Sequence, residues 1–102
     1  MDFLTRMEEI LLLAVHQLGA DAYGVTIKSR VEEILEKPVS VGAIYVPLDR
    51  LAKRGLLKTR QGAPSPERGG RGKKYYELTQ TGIDILKETK KLNDLIWADV
   101  SV

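Results

Sequence analysis

A mainly α domain with one small β hairpin, its elements ordered helix, helix, helix, strand, strand, helix, is the fold class this sequence predicts. Three observations lead there. Apolar residues recur at helical spacing in three successive segments before residue 56. One stretch, residues 61–72, carries four glycines and two prolines between two short strand-like segments. A further helical stripe then closes a chain of 102 residues, a length that holds one compact core and not two.

The first helix is expected at about residues 5–18. Thr5-Arg6-Met7-Glu8 has the form of a capping box, in which the Thr5 hydroxyl and the Glu8 carboxylate satisfy each other's backbone N–H groups. Ile10, Leu13, Ala14 and Leu18 follow at helical spacing, Leu11, Leu12 and Val15 widen the stripe, and Gly19 ends it. A short turn, Ala20 to Tyr23, leads to a second helix with Val25, Ile27, Val31, Ile34 and Leu35 on its apolar face. Lys28, Glu32, Glu33 and Glu36 occupy its solvated face, and Pro38 stops it. Ser40 caps a third helix whose buried face is Ile44, Leu48 and Leu51; Tyr45, Asp49, Arg50 and Lys53 stand off that face, and Gly55 closes it. Pro47 removes one backbone hydrogen bond and is expected to kink this helix near its middle. Leu56–Arg60 and Lys73–Leu78 read as the two strands of the hairpin. Thr79 caps the last helix, striped by Ile83, Leu86, Leu92, Leu95, Ile96 and Val100.

Three short helices followed by a basic hairpin is the layout of a winged helix-turn-helix. The expected division is a DNA-binding domain over residues 1–79 and a C-terminal dimerisation helix over residues 80–102.

The net charge of +2 conceals a sharp partition. Residues 50–74 hold nine Lys/Arg against one Glu, while the segments on either side are net acidic. Such a block suits a polyanionic partner, although a solvated loop carries similar charge. The chain has no cysteine, which removes disulfides, thiolate zinc sites and cysteine nucleophiles together. Its longest apolar run, Ile10–Val15, is far short of a membrane span, and Met1-Asp2-Phe3-Leu4 lacks the basic start of a signal peptide. A cytoplasmic location is expected. His16 is the only histidine, so no metal site, cofactor or catalytic triad is expected. Neither phosphate-binding glycine pattern occurs, which argues against a nucleotide site.

In a helix-turn-helix the second helix enters the major groove with its N-terminal residues toward the bases. Here that turn is Ser40-Val41-Gly42-Ala43, small enough for close approach, with Arg50 further along the helix. Tyr45 lies one turn on and has two readings, a contact to DNA sugar or phosphate, or a place in the core. On the hairpin, Arg60, Arg68, Arg71, Lys73 and Lys74 can neutralise phosphates, with Gly70 and its neighbours letting the loop follow the duplex. The last helix either folds back on the first or meets its counterpart in a second chain. The second option is preferred, through Leu86, Leu92, Leu95, Ile96 and Val100, because operators are commonly two-fold. Trp97, on or beside that stripe, is either an interface residue or a stacking surface for a flat aromatic effector.

Gly42-Ala43-Ile44-Tyr45, Leu48-Asp49-Arg50-Leu51 and Gly55-Leu56-Leu57, in that order, resemble the recognition-helix signature of the PadR-like transcriptional regulators. Gly69-Gly70-Arg71, then Lys74-Tyr75-Tyr76-Glu77-Leu78-Thr79 and Gly82, resemble the family's wing, and Tyr23-Gly24 fits its second helix. The resemblance spans about residues 8–90. It implies a bacterial winged helix homodimer held by its C-terminal helix. It also implies repression of nearby genes, relieved in many members by a phenolic acid or a hydrophobic drug. It adds weight to Tyr45 as a DNA-facing residue and to Arg71 as a wing contact. Pro47 falls one place later than the proline of many relatives, and the short C-terminal region resembles the short subfamily. A competing reading is a winged helix that binds an acidic protein through the same basic face.

Overall fold

The computed structural model describes residues 3–62 and 72–100. Its elements are α1 (Arg6–Leu18), α2 (Gly24–Leu35), α3 (Val41–Lys53), β1 (Leu57–Gln61), β2 (Lys74–Leu78) and α4 (Gln80–Trp97), with one 3₁₀ turn at Gly19–Asp21.

The helix starts follow from local chemistry. At α1 the capping box is complete: Glu8 N–H donates to Thr5 Oγ1 at 3.1 Å and Thr5 N–H to Glu8 Oε1 at 2.8 Å. Ser40 Oγ accepts from Ala43 N–H at 3.1 Å, and Thr79 Oγ1 from Gly82 N–H at 3.0 Å. At α2 the first turn is held from inside the helix, where Thr26 Oγ1 accepts from Tyr23 N–H at 3.0 Å.

Helices α1, α2 and α3 enclose the core, with Leu11, Leu12, Ile27, Val31, Ile44, Leu48 and Leu51 fully buried. Leu56, Leu57 and Tyr76 close it from the hairpin side. The apolar face of α2 is narrower than its sequence suggests. Ile27 and Val31 are buried and Leu35 packs at the margin, whereas Val25 and Ile34 are exposed. Residues 27, 31 and 35 recur every four positions and fall on one side of the helix; Val25 lies across from Ile27. Leu13 of α1 is likewise exposed toward α4.

Pro47 does not interrupt α3, which runs unbroken from Val41 to Lys53. The carbonyl it leaves without an N–H partner belongs to Ala43, an exposed residue whose oxygen water can reach. The helix ends in a glycine motif. Gly55 has φ 78°. Its N–H donates to Ala52 O and Leu56 N–H to Leu51 O, both at 3.0 Å. Leu56 is thereby consumed by the cap, so β1 begins at Leu57, one residue later than its apolar pattern suggests.

Strands β1 and β2 pair antiparallel, Leu57 opposite Leu78 and Gln61 opposite Lys74. The turn before α2 adds a short third rung: Tyr23 bridges Tyr75, and Tyr76 N–H donates to Ala22 O at 2.8 Å. This rung, absent from the sequence expectation, fixes the hairpin to the start of α2. With three helices and a docked hairpin, the domain is a winged helix.

Helix α4 leaves the hairpin and passes α1. Ile85 and Leu86 pack on the core, and Asn93 Nδ2 donates to Glu9 Oε2 at 3.1 Å. The radius of gyration is 15.1 Å, against about 13 Å for a compact chain of this length. Among the described residues no helix is long and apolar enough to cross a membrane.

Candidate nucleic-acid interface

The turn between α2 and α3 is held by a residue that sequence reasoning placed on a solvated face. Glu36 takes the left-handed conformation at φ 56° and turns the chain out of α2. Glu32 Oε2 then accepts from Val39 N–H at 3.0 Å and from Lys28 Nζ at 3.1 Å. The Val39 N–H, and after it Lys28, holds the Glu32 carboxyl below the usual carboxylate range. The Lys28–Glu32 spacing of four was readable as a helical ion pair. The reach of Glu32 across the turn was not.

Burial of Ile44, Leu48 and Leu51 turns the opposite face of α3 outward. Ser40, Val41, Gly42, Ala43 and Arg50, all expected to face DNA, are exposed on this helix. A Cβ placed on Gly42 would meet no heavy atom within 4 Å. Gly42, Val46, Arg50 and Lys53 form one row along the exposed face, and the side chains of Arg50 and Lys53 have no ion-pair partner among the described residues. Val46, 56% exposed at the centre of this row, was missed. An apolar residue inside a helical segment reads as core unless its register is compared with Ile44 and Leu48. Tyr45 takes an intermediate place. It is half-buried, and its ring lies across Gly24, where any Cβ would overlap the phenol. Tyr23-Gly24 and Tyr45 are thus two halves of one contact between α2 and α3.

At the loop end of the paired strands the cations and tyrosines interleave. Lys73 Nζ lies 4.1 Å from the Tyr23 ring centre, Tyr23 meets Tyr75 edge-on at 5.5 Å, and the Arg60 guanidinium lies 4.3 Å over Tyr75. Arg60 also donates to Ala20 O at 3.4 Å. Lys74 Nζ pairs with Asp49 Oδ1 of α3 at 3.3 Å. The same oxygen accepts from the Tyr76 hydroxyl at 3.1 Å. Burial, then the Asp49 charge and hydrogen bond, pushes the Tyr76 phenol above the ordinary tyrosine range, so it stays a donor. Lys74 therefore sits beside α3, while Arg60 and Lys73 lie against Tyr75 and Tyr23 at the turn before α2. Arg68, Gly70 and Arg71, expected at the wing tip, lie outside the described residues.

The expected interface residues of α4 divide into two sets. Leu86 packs on its own core and Leu92 is half-buried near Phe3 and Leu4. Leu95, Ile96, Trp97 and Val100 are exposed, by 73%, 61%, 54% and 48%. Between α1 and α4 runs a groove of about 380 Å³, lined by Leu13, Ile83 and Leu86 among others. No group of three His, Cys, Asp or Glu among the described residues could hold a metal ion.

Comparison with known proteins fits this geometry. The model of the transcriptional regulator PadR-like family matches residues 11–88. A PadR-like transcriptional regulator from Bacillus cereus is 28% identical, with a TM-score of 0.74 over 92% of this chain and 86% of that one. A PadR-like transcription factor from Bacteroides fragilis is also 28% identical, with a TM-score of 0.68 over 88% and 85%. RosR of H. salinarum, 24% identical with a TM-score of 0.77 over 96% and 81%, shares the fold. A search of curated protein sequences gave no match.

Proposed function

Because the chain belongs to the PadR-like family of transcriptional regulators, and so to DNA-binding regulators rather than enzymes, we propose that it is a homodimeric repressor that reads a two-fold operator. The observation that carries the reading is the exposed row Gly42, Val46, Arg50 and Lys53 on α3, with Lys74 of the hairpin meeting the same helix at Asp49. In the major groove, Gly42 and Ala43 let the helix backbone come close. Val46 meets a thymine methyl, and Arg50 a guanine edge or a phosphate. Lys73, Lys74 and Arg60 track the adjacent backbone, and Arg68, Gly70 and Arg71 carry the wing tip into the minor groove. Tyr45 supports this surface by holding α3 against α2, its hydroxyl at the α2 N-terminus where a phosphate would lie.

The dimer arm is residues 80–102, with residues 1–79 as the DNA-binding part. Leu95, Ile96 and Trp97 at the end of α4, and Val100 just beyond it, stand exposed, an arrangement a lone domain does not favour. A second copy covers Leu95, Ile96 and Val100 and sets the half-site spacing, while Leu86 and Leu92 stay on their own protomer's side. Trp97 offers an indole face at this junction, either to the partner or to a flat aromatic effector that releases the operator. The protein acts in the cytoplasm.

The test is a gel shift with DNA from upstream of its own gene at two salt concentrations, beside sedimentation of the free protein. Expected are specific retardation that weakens with salt, loss of discrimination worth about 1–3 kcal/mol in Arg50→Ala, and a monomer in Ile96→Glu. Absence of any specific shift, together with an acidic protein co-purifying, would favour the protein-interaction reading. A wild-type monomer would remove the dimer.

A further inference from the structure

Asp49 is the only acidic residue of α3, and it stands on the side of the helix that faces the hairpin. Its Oδ1 receives both the Tyr76 hydroxyl and Lys74 Nζ, at 3.1 and 3.3 Å. Tyr76 is buried, so its hydrogen bond fixes the carboxylate in place. Lys74 is about half exposed, at 51%, and its long stem can swing away. The carboxylate thus lies between the two elements that would straddle a phosphate backbone, in a region otherwise dominated by cations.

We infer that Asp49 is an anionic counterweight within the DNA-facing surface, which neutralises Lys74 and lowers affinity for every DNA sequence alike. This rests on the DNA-binding reading above. In water an exposed ion pair is weak, so a phosphate competes readily for Lys74. When Lys74 moves to phosphate, however, Asp49 is left bare beside the polyanion and must recruit a cation. The ion released from DNA by Lys74 is matched by the ion captured at Asp49. The pair adds nothing net to counterion release, whichever partner Lys74 holds.

Neutralising Asp49 while keeping its oxygen acceptor restores that missing contribution. One further lysine–phosphate contact steepens the plot of log affinity against log salt by about 0.9, which at 0.15 M salt is about a fivefold gain. Phosphates carry no sequence information, so the same factor applies to an operator and to a scrambled duplex. A carboxylate that instead accepted from a cytosine amino group would behave differently: its loss would weaken the operator alone.

The experiment measures anisotropy of the full chain with two duplexes at four KCl concentrations. One duplex is recovered by selection from a random pool; the other is its scrambled counterpart. Asp49→Asn is expected to bind both about fivefold more tightly at 0.15 M, with slopes steeper by about 0.9. Asp49→Asn combined with Lys74→Ala is expected to return both quantities to wild type. Asp49→Ser, which also keeps an acceptor for Tyr76, serves if the amide variant folds poorly. Unchanged or weaker binding of the scrambled duplex by the neutral variants overturns the inference while leaving DNA binding intact. So does a steep slope that persists without Lys74. A wild-type protein that binds neither duplex, or yields nothing on selection, overturns the DNA reading and this inference with it.

Discussion

Three glycines lie in the first turns of helices with backbone angles open to alanine, and their surroundings predict three different outcomes for the same substitution. A Cβ at Gly82 would be driven into the Leu56 carbonyl oxygen and would stand 3.1 Å from Leu78 Cδ2. That carbonyl is backbone at the α3–β1 junction and already accepts from Thr79 N–H at 3.2 Å, so it has little room to yield. Overpacking of this kind costs about 1–3 kcal/mol, and a methyl against a fixed carbonyl belongs at the upper end. Better helix propensity returns up to about 1 kcal/mol. The net expectation for Gly82→Ala is a loss of about 2 kcal/mol, a fall in Tm of roughly 8–16 °C for a chain of this size. At Gly24 the obstacle is the far end of the Tyr45 side chain, which can turn, so about 1 kcal/mol is expected. Gly42 meets nothing, so Gly42→Ala should melt within about 0.5 kcal/mol of wild type. Its new methyl nonetheless projects from the proposed DNA face, and operator affinity should fall while Tm does not. Thermal melts followed by circular dichroism, with binding measured on the same samples, give the ranking. A Gly82→Ala protein that melts with wild type would falsify the steric reasoning.

Two further predictions concern residues that tie separate parts of the fold together, Glu32 across the α2–α3 turn and Arg54 between α3 and α1. Glu32 has its pKa lowered by folding, so its contribution is present above the ordinary carboxylate value of 4.5 and is lost as pH falls through the lower folded value. Glu32→Gln should therefore melt below wild type at pH 7, with the gap closing under acid; a constant gap from pH 7 to pH 3 would show that the charge plays no part. Arg54, at the C-cap of α3, donates to the buried Glu8 at 3.0 Å. Removing one partner of a buried pair costs about 3–5 kcal/mol, and the partial exposure of Arg54 reduces this to about 2. Arg54→Met should destabilise by that amount in urea, and adding Glu8→Gln should restore part of it. Additive losses would mean the two residues are not coupled.

Helix starts were legible because their signals are local. Thr5 with Glu8, Ser40 with Ala43 and Thr79 with Gly82 each act within one turn, and the starts of α1, α3 and α4 follow from them. The hairpin was legible from its glycines and prolines to within one residue at its strand ends: the α3 cap takes Leu56 from β1, β1 runs on to Gln61, and β2 starts at Lys74. What failed to show were contacts between distant parts of the chain. The roles of Glu32 at Val39, Arg54 at Glu8, Tyr45 at Gly24 and Asp49 at Lys74 depend on how helices pack, which periodicity does not encode. Exposure of Val25, Ile34 and Val46 was hidden for a related reason. Valine and isoleucine look alike to a pattern whether they lie on the inner or outer arc of a short helix, and only the register of fully buried neighbours separates them.

The interleaved tyrosines and cations at the loop end of the strands also bear on how quickly and how specifically the proposed surface engages a polyanion. A lysine or arginine free in water carries about 2 kcal/mol of rotamer entropy, much of which is surrendered on meeting a phosphate. Arg60 and Lys73 lie against the rings of Tyr75 and Tyr23. Those rings are themselves fixed by the Tyr23–Tyr75 bridge. Much of their conformational freedom is thus spent during folding, and less remains to be lost on binding. In the proposed complex this end of the hairpin would then act as a pre-ordered landing strip whose charges keep a fixed spacing, so that duplexes with a matching groove width are favoured over those that must deform to fit.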